Sequence, residues 1–325
     1  AHRTLYVETS RGCPFKCEFC LSSLDSRVRE FPLAPFFDAM ETLLERGATQ
    51  FKFLDRTFNL REERVLPILD FFHERLRAGM QIHFEVVPDR LWPRTLERMA
   101  DFPPGVLRLE VGVQTFNEET LTAISRVQNM EKTLVTLRFL REHTGVLLHA
   151  DLVLGLPYET WESIREGFDR LVTLRPSEIQ VGILKRLKGI RIGRHSGPQK
   201  MVYSSVAPYE VLQTATLSFQ QVQRLKRFAR YFELYYNSGN FPASLELLWS
   251  KQESAFDVFM AFSDYLWGTI GRTHSIRLVR LAEHLYRYLI DTCGVAQETA
   301  TEAILSDYHR VGGRTEKLAF LRKSS

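Results

Sequence analysis

Short apolar runs alternate with segments of helical spacing along the first 185 residues. Leu5-Tyr6-Val7 is a strand-like run that leads into a cysteine-bearing segment. The stretch 36–46 has helical spacing and stops at Gly47, and 51–54 is a second strand. A helix over 62–77 ends at Gly79, and 82–87 alternates as a strand up to Pro88. A short helix is predicted over 94–100, a strand over 106–113, and helices over 118–125 and 132–143. The long apolar run 146–154 holds Asp151, a helix follows over 161–174, and 179–184 is the sixth strand. Strands separated by helical patterns predict βαβ units and a parallel sheet, that is, an α/β fold. Six units can form a barrel or an open, curved sheet. Right-handed crossovers place all strand C-termini on one edge, where barrels carry their chemistry. Cys13, Asp55, Glu85, Gln114 and Gly155 all fall at or just after predicted strand ends.

The pattern changes near residue 200. A loop is predicted over 193–198, and from Pro208 onward helical spacing dominates, over 209–236, 243–267 and 275–291. Two domains are therefore expected, 1–200 and a helical 201–325. The tail Arg322-Lys323-Ser324-Ser325 is expected to fray. No internal repeat or low-complexity stretch stands out.

Composition excludes several classes. At 325 residues, with 44% hydrophobic and 25% charged residues, the chain has globular proportions. A net charge of +4 is too mild to point to nucleic acid or an anionic membrane. No run of about 18 apolar residues predicts a membrane span, and no secretory signal opens the chain. The chain starts at Ala1 rather than Met, so it is expected to be part of a longer or processed product. Of four cysteines, three crowd into eight residues and Cys293 stands alone. Such spacing is not a disulfide framework; clustered thiols read as metal ligands in a reducing compartment, here the cytoplasm.

The cluster runs Arg11-Gly12-Cys13-Pro14-Phe15-Lys16-Cys17-Glu18-Phe19-Cys20. Its C-x3-C-x2-C spacing suits tetrahedral zinc or an iron–sulfur centre. Zinc usually takes a fourth protein ligand, and no Cys or His pair follows at finger-like spacing; His73, His83 and His149 occur singly. Three thiolates on a four-iron cluster leave one iron open for a chelating ligand.

With Phe19 as the aromatic before the third cysteine, this segment resembles the signature of the radical S-adenosylmethionine (SAM) enzymes. The resemblance implies a partial (β/α)6 TIM-like barrel and a 4Fe–4S cluster on Cys13, Cys17 and Cys20. It also implies SAM on the open iron, cleaved to methionine and a 5′-deoxyadenosyl radical. Three further segments strengthen it: His83-Phe84-Glu85-Val86-Val87-Pro88, Glu110 to Asn117 with Arg126 beyond, and the run Asp151-Leu152-Val153-Leu154-Gly155-Leu156-Pro157. They resemble the coproporphyrinogen-oxidase and methylthiotransferase branch. Carried over by position, Gln114 and Asp151 would bind the SAM ribose and Arg126 the methionine carboxylate. Glu85 would lie near the amine. Where many members carry Gly-Gly-Glu, this chain has Phe53-Leu54-Asp55-Arg56-Thr57-Phe58-Asn59. That resembles a variant of cobalamin-associated members, in which Asp55 would contact the SAM amine. Tyr158 stands where many relatives have Gly. The run 227–239 resembles an uncharacterised helical domain on cobalamin-binding radical SAM proteins. A cobalamin domain would then lie outside this chain, and the full-length protein would be a radical methyltransferase. Hydrogen abstraction without cobalamin is the enzymatic alternative, and a non-catalytic metal-binding protein the alternative of another class. A small-molecule substrate and an electron donor such as flavodoxin or ferredoxin are the implied partners; nucleic acid and membrane are not expected.

Other residues carry bland readings. Cys293 is expected to be an ordinary buried thiol, and His274, His284 and His309 structural or exposed. The aromatic stretch 228–236 reads as helix core. Lys185, Arg186 and Lys188 form a basic loop after the sixth strand, with Arg191 and Arg194 beyond it; it reads as a solvated face, and its functional counterpart is an anionic group such as a phosphate, a tetrapyrrole carboxylate or nucleic acid.

Overall fold

A computed structural model describes residues 3–249 and 254–310 together with Leu318 and Phe320; the C-terminal tail expected to fray lies outside them. The chain divides into two units, Ala1–Ser218 and Phe219–Ser325. The first opens with β1 (Leu5–Val7), then a small antiparallel pair, β2 (Ser10–Arg11) and β3 (Arg29–Glu30), that brackets the cysteine segment. Strands and helices then alternate. In order they are α1 (Leu33–Glu45), β4 (Gln50–Phe53), α2 (Glu62–Glu74), β5 (Gln81–Val86) and α3 (Pro93–Ala100). Next come β6 (Leu107–Gln114), α4 (Glu118–Ala123), α5 (Met130–His143), β7 (Leu147–Leu154), α6 (Trp161–Thr173) and β8 (Glu178–Ile183). Strands β1, β4, β5, β6, β7 and β8 form one six-stranded sheet in that order, parallel throughout. This is the parallel α/β sheet expected from the alternation, in the partial (β/α)6 arrangement that the resemblance implied.

Strands β4, β5, β6 and β7 show period-two burial. Leu107, Leu109, Val111 and Val113 of β6 are buried, as are Leu148, Ala150, Leu152 and Leu154 of β7. This face carries the helices: Phe72 of α2 packs on Phe51 and Phe53, and Phe36 of α1 on Phe53. The opposite, inner face is polar. Register sets Lys52 beside His83 and His83 beside Arg108. One step further along the strands, Glu85 lies beside Glu110, Glu110 beside His149 and His149 beside Glu178. Most parallel sheets are apolar on both faces; this one keeps a charged interior below the strand ends.

The first unit runs past residue 200. β9 (Val202–Tyr203) pairs antiparallel with β10 (Val211–Gln213), where helical spacing had been expected. Val211 is fully buried in a cluster with Ile124, Leu156, Leu184, Ile192 and Met201. Gly155 admits it, since a Cβ there would lie 2.5 Å from Val211 Cγ1. Packing against this cluster, which local spacing does not reveal, gives residues 201–218 to the first unit.

The second unit is helical: α7 (Phe219–Phe232) with a π turn over Glu233–Asn237, α8 (Pro242–Trp249), α9 (Ala255–Ile270), α10 (Leu278–Asp291) and α11 (Gln297–His309). The single helix expected over 243–267 is two, α8 and α9, and residues 250–253 lie outside the described residues. Phe228, Phe232 and Tyr235 are fully buried, so the aromatic stretch is core. The Tyr235 hydroxyl donates to the Leu281 carbonyl at 3.0 Å, which satisfies its one polar atom.

Candidate active site

The cysteine segment is shaped before any ligand is considered. Gly12 has φ +102°, and a Cβ there would lie 2.3 Å from the Arg27 carbonyl oxygen, so only glycine fits this turn. The Cys13 amide donates to Asp25 O at 3.0 Å and the Cys20 amide to Cys17 O at 3.2 Å. Cys13 and Cys17 are buried and Cys20 half-buried. Glu18, 2% exposed between two cysteines, ties the segment down. Its carboxylate accepts from Ser125 Oγ at 3.0 Å and from Arg194 Nε at 2.8 Å. His195 Nε2 is 3.0 Å from the same carboxylate.

The three thiols and Phe19 line a cavity of about 160 Å³ at the strand ends. Glu85, Gln114, Arg126 and Asp151 line it too, so eight of the nine residues singled out from sequence converge there. Phe19 serves twice, since it also packs against the cluster around Ile192. Asp55 is the exception. It does not line the cavity; it is 1% exposed, and its carboxylate accepts from the Thr9 amide at 2.9 Å and from the Thr9 and Ser10 hydroxyls at 2.7 Å each. Both oxygens are engaged by the residues that follow β1, so the structure does not bring Asp55 together with the other residues expected around SAM. In its stead Arg56 and Thr57 line the cavity, with Thr57 Oγ1 3.8 Å from Cys13 Sγ. Tyr158 adopts φ 65° and so shapes the turn after β7; it is not among the lining residues.

Arg126 is aimed by three contacts. Nε donates to Gln128 Oε1 at 2.7 Å, Nη2 to the Gly112 carbonyl, and Nη1 lies 3.6 Å from Cys17 Sγ. Gly112 makes room: a Cβ would lie 2.4 Å from Gln114 Nε2 and 3.3 Å from Arg126 Nη2. Gln114 itself sits at φ 72°, which turns its side chain off the strand. Sequence reading missed Gly112 and Glu110; a glycine inside a strand is the signal for close approach that points to the first, and period two from Gln114 reaches the second. Nothing local marks Glu18, whose partner Arg194 is 176 residues away.

The charges are unequal. Glu110 is held down at about 2 by the His83 imidazole, 3.1 Å away, and by Lys52 at 3.3 Å. Burial pushes Glu85 upward, opposed by Arg56 at 3.4 Å. Burial pushes Asp151 up to about 8, aided by Glu110 and Glu85 and opposed by Arg126 and Lys52. Oδ1 of Asp151 has no hydrogen-bond partner among the described residues; His149 Nε2 is 3.5 Å off. In the folded chain Asp151 therefore keeps its proton at neutral pH, whereas unfolded it titrates near 3.8. The folded state binds the extra proton between these values, so it loses stability as pH rises through that window. Asp151→Asn cannot ionise in either state. Thermal unfolding at a series of pH values should show the variant gaining on the unaltered chain from about pH 5 to about pH 8.

The residues fit an iron–sulfur centre with a zwitterionic ligand. Three soft thiol donors face one cavity. A guanidinium at one side suits a carboxylate, and Glu85 and the unpartnered Asp151 oxygen suit an ammonium or hydroxyl groups. No three His, Cys, Asp or Glu side chains among the described residues are placed to share a single metal ion.

Comparison with known proteins gives the same picture. The profile of the Radical SAM superfamily matches residues 7–171, and that of a protein of unknown function (DUF4080) matches 199–325. The ribosomal protein uS12 methylthiotransferase RimO of a Nitratiruptor species is 24% identical over 172 residues, 50% of this chain and 39% of that one. The oxygen-independent coproporphyrinogen III oxidase of Salmonella typhimurium is 26% identical over 208 residues, 63% of this chain and 44% of that one. The chain thus spans less than half the length of either relative. Among solved structures, the radical S-adenosylmethionine methyltransferase TsrM of Kitasatospora setae superposes with a TM-score of 0.53 at 19% identity, covering 63% of this chain and 42% of that one. The cobalamin-dependent S-adenosylmethionine radical enzyme OxsB superposes with a TM-score of 0.55 at 13% identity, covering 94% and 49%. These superpositions show a shared fold.

Proposed function

The chain belongs to the radical SAM superfamily, and from that membership we propose that its strand-end cavity holds a 4Fe–4S cluster on Cys13, Cys17 and Cys20, with SAM beside it. The observation that carries the reading is the convergence of three thiols, the Arg126 guanidinium and the Asp151 carboxyl on one cavity. A bound cluster would supply the one electron that splits the carbon–sulfur bond of SAM into methionine and a 5′-deoxyadenosyl radical. The chain's own residues bind and orient. Arg126, already pinned by Gly112 and Gln128, presents its remaining donors to a carboxylate. Glu85 takes the ammonium side. Gln114 and the protonated Asp151 would meet ribose hydroxyls, and Phe19 lines the same cavity.

For the full-length protein we propose radical methyl transfer to a small molecule, with cobalamin held outside this chain. The likeness of 227–239 to the helical domain of cobalamin-associated members supports this. Hydrogen abstraction is the counterpart, and a full-length protein that leaves the hydroxocobalamin spectrum unchanged on titration would assign it instead. The reading places the protein in the reducing cytoplasm, where three unpaired thiols persist; no helix among the described residues is long and apolar enough to cross a membrane. The test is anaerobic reconstitution followed by chemical reduction with SAM. Formation of 5′-deoxyadenosine supports the reading, and a reconstituted chain that takes up zinc without sulfide, or leaves SAM intact, defeats it.

A further inference from the structure

The basic loop after β8 was read from sequence as a solvated face, and its attachment gives it another role. Between 185 and 195 the chain carries five Lys or Arg and no Asp or Glu. Lys185, Arg186, Lys188, Arg191 and Arg194 are all exposed. The same segment lies directly over the cysteine segment. The Ile192 amide donates to the Glu18 carbonyl at 3.1 Å, and Arg194 and His195 hold the Glu18 carboxylate. The Gly189 backbone lies against Leu24, which a Cβ at Gly189 would meet at 3.3 Å. Ile190 and Ile192 pack in the cluster that also takes Phe19. A segment anchored at residues 189, 192, 194 and 195 thus holds its cations in fixed places over the residues between and beyond Cys17 and Cys20.

We propose that this basic strap is the docking surface for an acidic electron-transfer protein. The inference rests on the reading that Cys13, Cys17 and Cys20 hold a redox cluster. Electron tunnelling falls steeply with distance, so a donor must seat on the surface nearest the cluster ligands. Here that surface is cationic, and steering by complementary charge raises the rate of a short-lived encounter. In the encounter the donor is oxidised by one electron and the cluster reduced by one; no bond is made or broken. Arg194 and His195 anchor the strap through Glu18, and Lys188 and Arg191 face the partner.

The test is a Lys188→Glu/Arg191→Glu double variant, which leaves the anchor intact. Iron and sulfide content comes first, followed by stopped-flow reduction with two probes, reduced flavodoxin (an acidic protein) and the methyl viologen radical cation. Flavodoxin should reduce the variant cluster ~10-fold more slowly at low ionic strength, with the difference shrinking at about 0.5 M salt. The viologen cation should be no slower. Binding of oxidised flavodoxin to the chain without its cluster should weaken in parallel. An unchanged flavodoxin rate, or an equal slowing by both probes, overturns the proposal, as does an unchanged flavodoxin rate together with lost affinity for a non-specific RNA. If the unaltered chain takes up no iron and sulfide, the reading of the site falls as well, which separates the two failures.

Discussion

Cys17→Ala protein, reconstituted anaerobically with iron and sulfide, is expected to keep only a small fraction of the about four irons and four sulfides that the unaltered chain holds. Cys17 is 7% exposed, deep in the cavity wall, and its thiol is pushed up by burial while Arg126, 3.6 Å away, pulls it back down. A cluster can form there only if the thiolate is the stable form, which the guanidinium and the irons favour together. Alanine removes the donor and leaves two thiols and an uncompensated cation. Cys293→Ala is the matched control: that thiol follows α10 in the second unit, and its loss should leave iron content unchanged. Chemical analysis of iron and sulfide decides, and a Cys17→Ala chain with full content would take Cys17 out of the ligand set.

Arg126→Ala is expected to weaken SAM binding to the reconstituted chain by about 2–4 kcal/mol, roughly 30- to 1000-fold in Kd. The guanidinium is preorganised, since Gly112 and Gln128 hold it before ligand arrives, so little rotamer entropy remains to be lost on binding. Its removal leaves the ligand carboxylate beside three protein carboxyls, with the other lining guanidinium, Arg56, already paired to Glu85 at 3.4 Å. Arg126→Lys keeps the charge and loses the planar fork, and should fall between the two. Equilibrium binding measures all three, and equal affinity in Arg126→Ala would place the carboxylate elsewhere.

Much of the barrel was legible because it rests on short-range regularities. Period two in β6 and β7 marks which side chains face the helices, and the same alternation carries Asp151 to the inner face. The C-x3-C-x2-C spacing after the first strand is equally local. Elsewhere distant packing overrides local spacing. Residues 209–218 look helical, yet Val211 joins a strand because its side chain fills the space that Gly155 leaves. Asp55 stands at a strand end like its neighbours in the motif set, yet Thr9 and Ser10 capture both of its oxygens.

By itself, then, the sequence determined the alternation of strands and helices, the edge on which the chemistry gathers and the three thiols, since each depends on residues within a few positions of one another. Tertiary structure alone decided that Glu18 is gripped by Arg194, 176 residues on, and that Arg126 is braced by Gly112. It also decided that Asp151 keeps its proton while Glu110, on the neighbouring strand, does not. The reason is physical. Burial and the charges set by strand register fix a side chain's hydrogen bonds and protonation, and both come from segments the chain brings together only on folding.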